Sequence, residues 1–189
     1  MATIYDFILD LNANTANRLA DIGARLSLDR ICVCQLFDTQ QVLKHTWPLS
    51  TGSNPFIEMS LVDLPHIHSR LRSLIPFFDP LETLPEQQTT LLHNRGVKAA
   101  IFIPLQYEGR LWGFLGCLCT TANREWRSSE ISLLLQESIN LTYDILLSET
   151  LVELKESDEN LRYMLDYLTE GSVTIDENSL ITNISGFIA

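Results

Sequence analysis

The clearest pattern of apolar and polar positions predicts an antiparallel hairpin in the middle of the chain. Lys98 to Leu105 is apolar and strand-length, Glu108-Gly109 provides a turn, and Leu111 to Thr121 is a second apolar run. Period two gives the returning strand two faces, one with Trp112, Phe114, Gly116 and Leu118, the other with Leu111, Gly113, Leu115, Cys117 and Cys119. Because both faces are apolar, this strand is expected to be central and covered on both sides.

Upstream of this hairpin, the spacing of apolar residues predicts a helix followed by a first hairpin. Asp29 ends the helical pattern, Arg30 to Phe37 is rich in β-formers, and Gln41 to Leu49 is a second strand after a turn at Asp38 to Gln40. The apolar stripe of the helix advances in steps of three and four residues: Ile4, Ile8, Leu11, Thr15, Leu19, Ile22 and Leu26. One face of this helix therefore needs a partner.

The middle of the chain is rich in proline and is expected to be its least regular part. Turn-forming residues predict an exposed loop from Pro48 to Pro55. A short helix is expected within Leu61 to Ser73, and a short edge strand at Leu74 to Phe78. A further helix is predicted from Pro85 to Asn94, because proline suits the first turn of a helix.

The last third predicts a long helix that starts at Ser128 and meets neither glycine nor proline before Gly171. Its first part has a face that we assign to packing on the sheet: Ile131, Leu134, Ser138, Leu141 and Ile145. Its second part repeats with alternating four- and three-residue spacing, which predicts the seam of a parallel two-stranded coiled coil. The seam residues are Leu147, Leu151, Leu154, Asp158, Leu161, Leu165 and Leu168. The carboxylate of Asp158 either holds the register of the coil or marks a point where the helix frays.

The landmarks around the central hairpin resemble the end of a GAF domain, a sensory module of bacterial kinases, cyclases and phytochromes. They are Gly96-Val97, Pro104-Leu105, Gly109 to Gly113, Arg124-Glu125-Trp126 and Glu130 to Leu134. The resemblance implies an α+β fold with an antiparallel sheet of five to six strands. It also implies N- and C-terminal helices on one face of the sheet, an irregular pocket side on the other, and a long C-terminal helix.

A second resemblance follows the long helix. Ser172 to Asp176 and Leu180 to Ile184 predict a hairpin, and Leu161 to Ile184 looks like the start of a PAS domain. We therefore expect a GAF-like domain over residues 1–146, a coiled-coil signalling helix over 147–170, and the truncated start of a PAS-like domain over 171–189.

Composition narrows the classes of function. A net charge of −11 argues against nucleic-acid binding, which depends on clustered lysine and arginine. No apolar window is long enough to cross a bilayer, and the start of the chain lacks the pattern of a secretory signal. We expect a cytoplasmic segment of a longer protein with no membrane contact of its own.

The four cysteines form two Cys-x-Cys pairs, Cys32 with Cys34 and Cys117 with Cys119. The resemblance implies that the first and last main strands lie side by side, so the four thiols could face one another and bind zinc or form a redox switch. The alternative is that small, soft cysteines fill a tight layer of the core, with no metal. His66 and His68 point in different directions on a helix, which favours exposed side chains over metal ligands.

In a GAF fold a pocket would lie between the sheet and the irregular middle segment. Its candidate lining residues are Phe78, His93, Phe102, Trp112, Phe114 and Leu118. A collapsed aromatic core without a ligand is the alternative. Leu118 stands where phytochrome-type domains have a chromophore-contacting histidine, and no cysteine lies near His93, so bilin is disfavoured. The signature of domains that bind cyclic GMP is also missing. We expect no cofactor, although an unknown small ligand would fit the fold.

The function that these patterns favour is a non-enzymatic sensory and dimerisation module of a multidomain bacterial signalling protein. Motifs for phosphate loops, nucleophile elbows and metalloprotease helices are absent from the sequence. The homodimer would pass a signal through the coiled coil to a PAS domain and an output domain, either a diguanylate cyclase or a cyclic-di-GMP phosphodiesterase. The alternatives are the sensor region of a histidine kinase, a four-cysteine metal or redox sensor, and a scaffold that only dimerises.

Overall fold

The computed structural model describes residues 4–37, 40–48, 60–169, 172–175 and 181–185. The chain divides into two compact units. The sheet unit is Leu9–Leu146, and the helix–hairpin unit is Met1–Ile8 with Leu147–Ala189. The predicted loop at Pro48 to Pro55 lies almost entirely outside the described residues, as do residues 38 and 39 of the predicted turn from Asp38 to Gln40 and Gly171 after the predicted long helix.

The secondary structure follows the apolar pattern closely. The helices are α1 (Ile4–Arg25), α2 (Pro65–Arg72), α3 (Glu86–Asn94) and α4 (Ser128–Thr169), with short 3₁₀ turns at Leu61–Asp63 and Leu81–Thr83. The strands are β1 (Arg30–Phe37), β2 (Gln40–Trp47), β3 (Ala99–Tyr107), β4 (Arg110–Cys119), β5 (Ser172–Ile175) and β6 (Ile181–Ser185). Both residues of the β3–β4 turn, Glu108 and Gly109, have positive φ, as tight hairpins require.

The sheet unit contains an antiparallel four-stranded sheet in the order β2-β1-β4-β3. The predicted central position of β4, between β1 and β3, is confirmed. The expected five to six strands are wrong, because the segment Leu74 to Phe78 contributes only an isolated bridge between Phe77 and Phe102. Pro76 has no N–H to donate, and Leu74 has a φ of 58°, so this segment cannot extend a ladder.

Each face of the sheet carries its own apolar core. On one face, residues of α1 and α4 pack over the sheet, among them Leu19, Ile22, Leu134 and Leu141. On the other face, α2 and the proline-rich segment cover it with residues such as Ile67 and Phe77. The expected arrangement, terminal helices on one side and the irregular segment on the other, is therefore confirmed. We call these the helix-side core and the pocket-side core.

A β-bulge in β4 changes which residues face each core. Leu105 is opposite Gly113, but the next residue, Gln106, is opposite Leu111, so Trp112 is the extra residue. Leu111 consequently packs against the pocket-side core and Trp112 against the helix-side core. The prediction of strict alternation along β4 is wrong at these two positions. From Gly113 onward the alternation is regular, with Phe114 and Leu118 on the pocket side and Leu115 and Cys117 on the helix side.

The helix–hairpin unit contains the end of α4 and a two-stranded antiparallel sheet of β5 and β6. Ser172 is opposite Ser185 and Val173 is opposite Ile184, so the hairpin predicted after the long helix is confirmed. The long helix is also confirmed as one element of 42 residues. It begins in the sheet unit and ends in the helix–hairpin unit.

Candidate functional site

The structure brings together half of the residues predicted to line a pocket. Phe102, Phe114 and Leu118 belong to the pocket-side core and are at most 1% exposed. Phe77, which was not among the predicted residues, joins them. The Phe77 and Phe102 ring centroids are 6.4 Å apart, and the Phe102 and Phe114 centroids are 5.8 Å apart, both in tilted arrangements. Such spacings are favourable aromatic contacts, so these side chains fill the face between them.

The other three predicted pocket residues lie elsewhere. Phe78 and Trp112 pack against the helix-side core, and His93 is exposed on α3. Trp112 is displaced by the bulge, and Phe77 rather than Phe78 pairs with Phe102 through the isolated bridge. The placement of these three residues on the pocket face is therefore wrong. The sequence signal that could have indicated Phe77 is Pro76 directly before it. Pro76 has no backbone N–H to donate, so the pairing of this short segment falls on the residue that follows it.

The pocket-side core offers little to a chromophore. Leu118 is fully buried within the aromatic cluster and has no polar group to bind one. Arg70, on α2, donates to the carbonyl of Pro76 at 2.8 Å and pairs with Asp79, with its guanidinium 5.6 Å from the Phe77 ring centroid. These contacts fix the proline-rich segment across the cluster and engage both terminal nitrogens of Arg70.

The two cysteine pairs lie on opposite faces of the sheet. In the β1–β4 ladder Cys32 is opposite Gly116, and Ile31 is opposite Cys117. Residues directly opposite each other point to the same face, so Cys117 shares a face with Ile31 and not with Cys32. Cys32 and Cys34 belong to the pocket-side core, and Cys117 and Cys119 to the helix-side core. The predicted convergence of four thiols is therefore wrong. Within the described residues, no group of three or more histidine, cysteine or acidic side chains could hold a metal ion.

The thiols of Cys32 and Cys117 are also poor nucleophiles. Burial raises the pKa of Cys117, and burial together with the neighbouring Cys34 raises the pKa of Cys32. The Sγ atoms of Cys32 and Cys34 are 3.7 Å apart, and both residues are fully buried. A thiol with a raised pKa remains protonated at neutral pH and reacts slowly. This geometry supports the interpretation that the cysteines are small side chains that fill tight layers of the core.

Cavities open beside the cores. One of about 440 Å³ has Lys98, Arg124 and Trp126 among its lining residues. A second, of about 600 Å³, lies between the end of β3 and the first half of α4, where Leu135, Ile139 and Tyr143 are exposed. A third, of about 220 Å³, lies between α2 and the sheet.

The predicted seam is an exposed surface on the second half of α4. Leu147, Leu154 and Leu161 are 46%, 59% and 57% exposed, and Leu151 is half-buried. Asp158 is exposed and forms an ion pair of 3.0 Å with Arg162, one turn further along the helix. The side chains of Leu165 and Leu168, also assigned to the seam, lie outside the described residues.

The fold agrees with that of known protein domains. The family model of the GAF domain matches residues 16–140, which is more than half of the 189-residue chain. The chain therefore belongs to the GAF family, and its sheet unit is a GAF sensory domain.

One relative is a signalling protein. The methanogenesis regulatory histidine kinase FilI of Methanothrix harundinacea is 34% identical over 59 residues. This match covers 31% of the chain and only 7% of the length of FilI.

Solved structures show the same fold at low sequence identity. GAF3 of Slr1393 from Synechocystis sp. PCC6803, in its photoproduct state, has a TM-score of 0.62 and 19% identity, over 76% of this chain and 98% of that one. A domain named as part of a two-component sensor histidine kinase from Sinorhizobium meliloti 1021 has a TM-score of 0.54 and 18% identity, over 74% of this chain and 92% of that one.

Among the described helices, none combines the length and the apolar character needed to cross a bilayer.

Proposed function

We propose that this GAF domain is the sensory and dimerisation module of a larger signalling protein, and that a second copy of the chain pairs with it along α4. The observation that carries this proposal is the exposure of Leu147, Leu154 and Leu161, which recur every seven residues on one helix. Completely burying a leucine side chain is worth about 1.5–3 kcal/mol. A parallel partner helix would bury all three at once.

Residues around the seam are compatible with a marginal coil. Asp158 interrupts the leucines, and a carboxylate at a core position costs stability while restricting register. Its pairing with Arg162 offers a partner for this charge along the same helix. A coil of limited stability suits a switch, because a small free energy then changes the population of its states.

A ligand would act through such a switch only if it binds two arrangements of the dimer with different affinity. The helix α4 starts within the GAF domain and continues into the seam, so a shift in its register or rotation is the simplest signal. The module itself is proposed to be non-enzymatic, in keeping with its four buried cysteines and its aromatic-filled face.

For the output domain we propose a histidine kinase, because FilI and the Sinorhizobium meliloti protein are both named as histidine kinases. A diguanylate cyclase or cyclic-di-GMP phosphodiesterase is the alternative, which rests only on the resemblance to GAF domains of other signalling proteins. The hairpin of β5 and β6 would begin a PAS domain between the coil and that output.

Sedimentation of a charged variant tests the dimer. Leu154→Lys with Leu161→Lys places lysines on the seam and is expected to give a monomer with an intact sheet unit. The matched control is Val152→Lys with Tyr163→Lys, two exposed apolar residues that lie off the seam in the same helix. The control should sediment as the wild type does. A dimeric seam variant would show that the interface lies elsewhere.

A further inference from the structure

The cavity of about 220 Å³ has an unusual combination of walls. It is lined by Leu36 on β1, Leu111 on β4, and His68 and Arg72 on α2. Two walls are aliphatic and two are cationic or can become so. Its volume lies below the roughly 300–1,000 Å³ typical of sites for drug-sized ligands, so it suits a small molecule.

The β-bulge at Trp112 creates the aliphatic side of this cavity. Without the extra residue, regular alternation would turn Leu111 away from the pocket-side core. The bulge instead packs Leu111 against that core, where Leu36 also packs. Bulges often re-aim a side chain next to a binding site, and here the re-aimed residue lines the cavity.

The cationic side of the cavity has no acidic residue in its described lining. His68 and Arg72 are one turn apart on α2, and within the described part of the chain neither side chain forms a hydrogen bond or ion pair. The neighbouring Arg70, in contrast, is paired with Asp79. Among the described residues, the lining of this cavity contains two basic side chains and no acidic one, although the chain carries a net charge of −11.

The direction of the pKa shift of His68 agrees with a cavity that has no acidic residue in its described lining. Burial lowers the pKa of His68, and the positive charge of Arg72 lowers it further. Leu36 and Leu111, the other lining residues, carry no charge. An anion placed between His68 and Arg72 would reverse the repulsion, so its binding would be accompanied by uptake of a proton.

We propose that this cavity binds a small aliphatic carboxylate, with the carboxylate on Arg72 and His68 and the hydrocarbon chain against Leu36 and Leu111. A guanidinium binds a carboxylate through two parallel hydrogen bonds, which gives both strength and orientation. The assignment rests on the proposed sensory function only in treating this ligand as the signal. Binding itself is independent of the coil.

Titration of the 189-residue chain with acetate, propionate, butyrate and valerate, followed by NMR, tests the proposal. Each added methylene that enters the cavity should strengthen binding by up to about fourfold. Arg72→Gln should weaken valerate binding about tenfold or more, whereas Arg25→Gln, which removes an exposed arginine paired with Asp21, should leave it unchanged. Leu111→Ala should reduce the preference for valerate over acetate.

Two further readouts separate the roles of the residues. Wild-type binding should tighten as the pH falls from about 8 to about 5.5, and His68→Gln should abolish that dependence. Phosphate or sulfate binding as tightly as valerate would overturn the carboxylate assignment, because neither has an apolar part. Absence of saturable shifts up to about 20 mM valerate would overturn the site itself.

Sedimentation measures dimerisation separately from valerate binding. Valerate binding that persists in Leu154→Lys with Leu161→Lys supports a site independent of the coil. Loss of valerate binding in Arg72→Gln with an unchanged sedimentation coefficient would show that the dimer, in turn, does not depend on the site. A chain that binds valerate yet sediments as a monomer would overturn the proposed dimer and leave the binding site standing.

Discussion

The indole ring of Trp47 lies directly over Gly23, so closely that a β-carbon at position 23 would be 2.1 Å from the Cζ3 atom of the ring. Trp47 ends the edge strand β2, and its side chain packs against the helix-side core. Gly23 lies in the last turns of α1. The contact therefore joins the N-terminal helix to the edge of the sheet, and it requires the absence of a side chain in the helix.

Gly23→Ala is expected to destabilise the sheet unit although alanine favours a helix by about 1 kcal/mol over glycine. Displacing the indole from a packed position costs about 1–3 kcal/mol, which outweighs that gain. Chemical denaturation measures the difference in the free energy of unfolding.

The control for this prediction is a double-mutant cycle. In the background of Trp47→Leu the clash is relieved, so Gly23→Ala should become neutral or stabilising there. An equal effect of Gly23→Ala in both backgrounds would show that the ring does not restrict position 23.

Asp29 joins the start of β1 to the end of the central strand. Its Oδ2 accepts hydrogen bonds from the backbone N–H groups of Thr120 at 2.6 Å and Thr121 at 2.9 Å, and from the Thr121 hydroxyl at 3.0 Å. Partial burial acts to raise the pKa of Asp29, but these hydrogen bonds outweigh it and lower the pKa below its ordinary value. The ionised form therefore stabilises the fold.

Asp29→Asn should cost about 1–2 kcal/mol at neutral pH. Because the pKa in the folded state lies below that in the unfolded state, the contribution is complete above an unfolded pKa of about 3.9. It is lost as the pH falls through the folded value. Urea unfolding of both proteins at about pH 7 and at strongly acid pH measures this. A difference between them that does not shrink in acid would contradict the role of the charge.

Arg124 holds together the corner where the sheet meets α1 and α4. Its guanidinium donates to the carbonyl of Leu26 at 2.6 Å, pairs with Glu130 at the start of α4, and lies 4.4 Å from the centroid of the Trp126 ring. Arg124→Gln removes the charge from a mostly buried network and should cost about 2–3 kcal/mol. Thermal or chemical unfolding measures the loss.

Arg25→Gln is the matched control, because Arg25 pairs with Asp21 on an exposed helix surface. Such a pair is worth at most about 0.5 kcal/mol. Equal stability of the two variants would mean that the corner around Arg124 contributes no more than a surface ion pair.

Strong periodicity made much of the fold predictable from the sequence. The stripe of α1, the strand Arg30–Phe37 and the uninterrupted run of α4 each repeat one pattern over enough residues to specify an element. The order of the landmarks then gave the family, and with it the two-sided packing of the sheet.

The candidate site was less predictable, because the face on which each side chain lies depends on shifts of one residue in the pairing of the strands. One extra residue at Trp112 exchanges the faces of Leu111 and Trp112, and a register of Cys32 opposite Gly116 separates the cysteine pairs. Gly113 lies beside the bulge, where a β-carbon would be 2.1 Å from the carbonyl oxygen of Cys34. Such close approach of two strands is a property of the folded sheet and has no signal in a local pattern of hydrophobicity.

The central claim, a parallel pairing of α4 with its own copy, is tested most directly by disulfide cross-linking through an introduced cysteine. The native cysteines are all buried, so a new exposed thiol on α4 would react first. In a parallel coil in register, residue 154 lies beside residue 154 of the second copy, whereas residue 156 lies on the outer surface. Leu154→Cys is predicted to form a disulfide-linked dimer under mild oxidation, and Glu156→Cys to remain unlinked. Equal linking of both variants, or none by Leu154→Cys, would contradict the account.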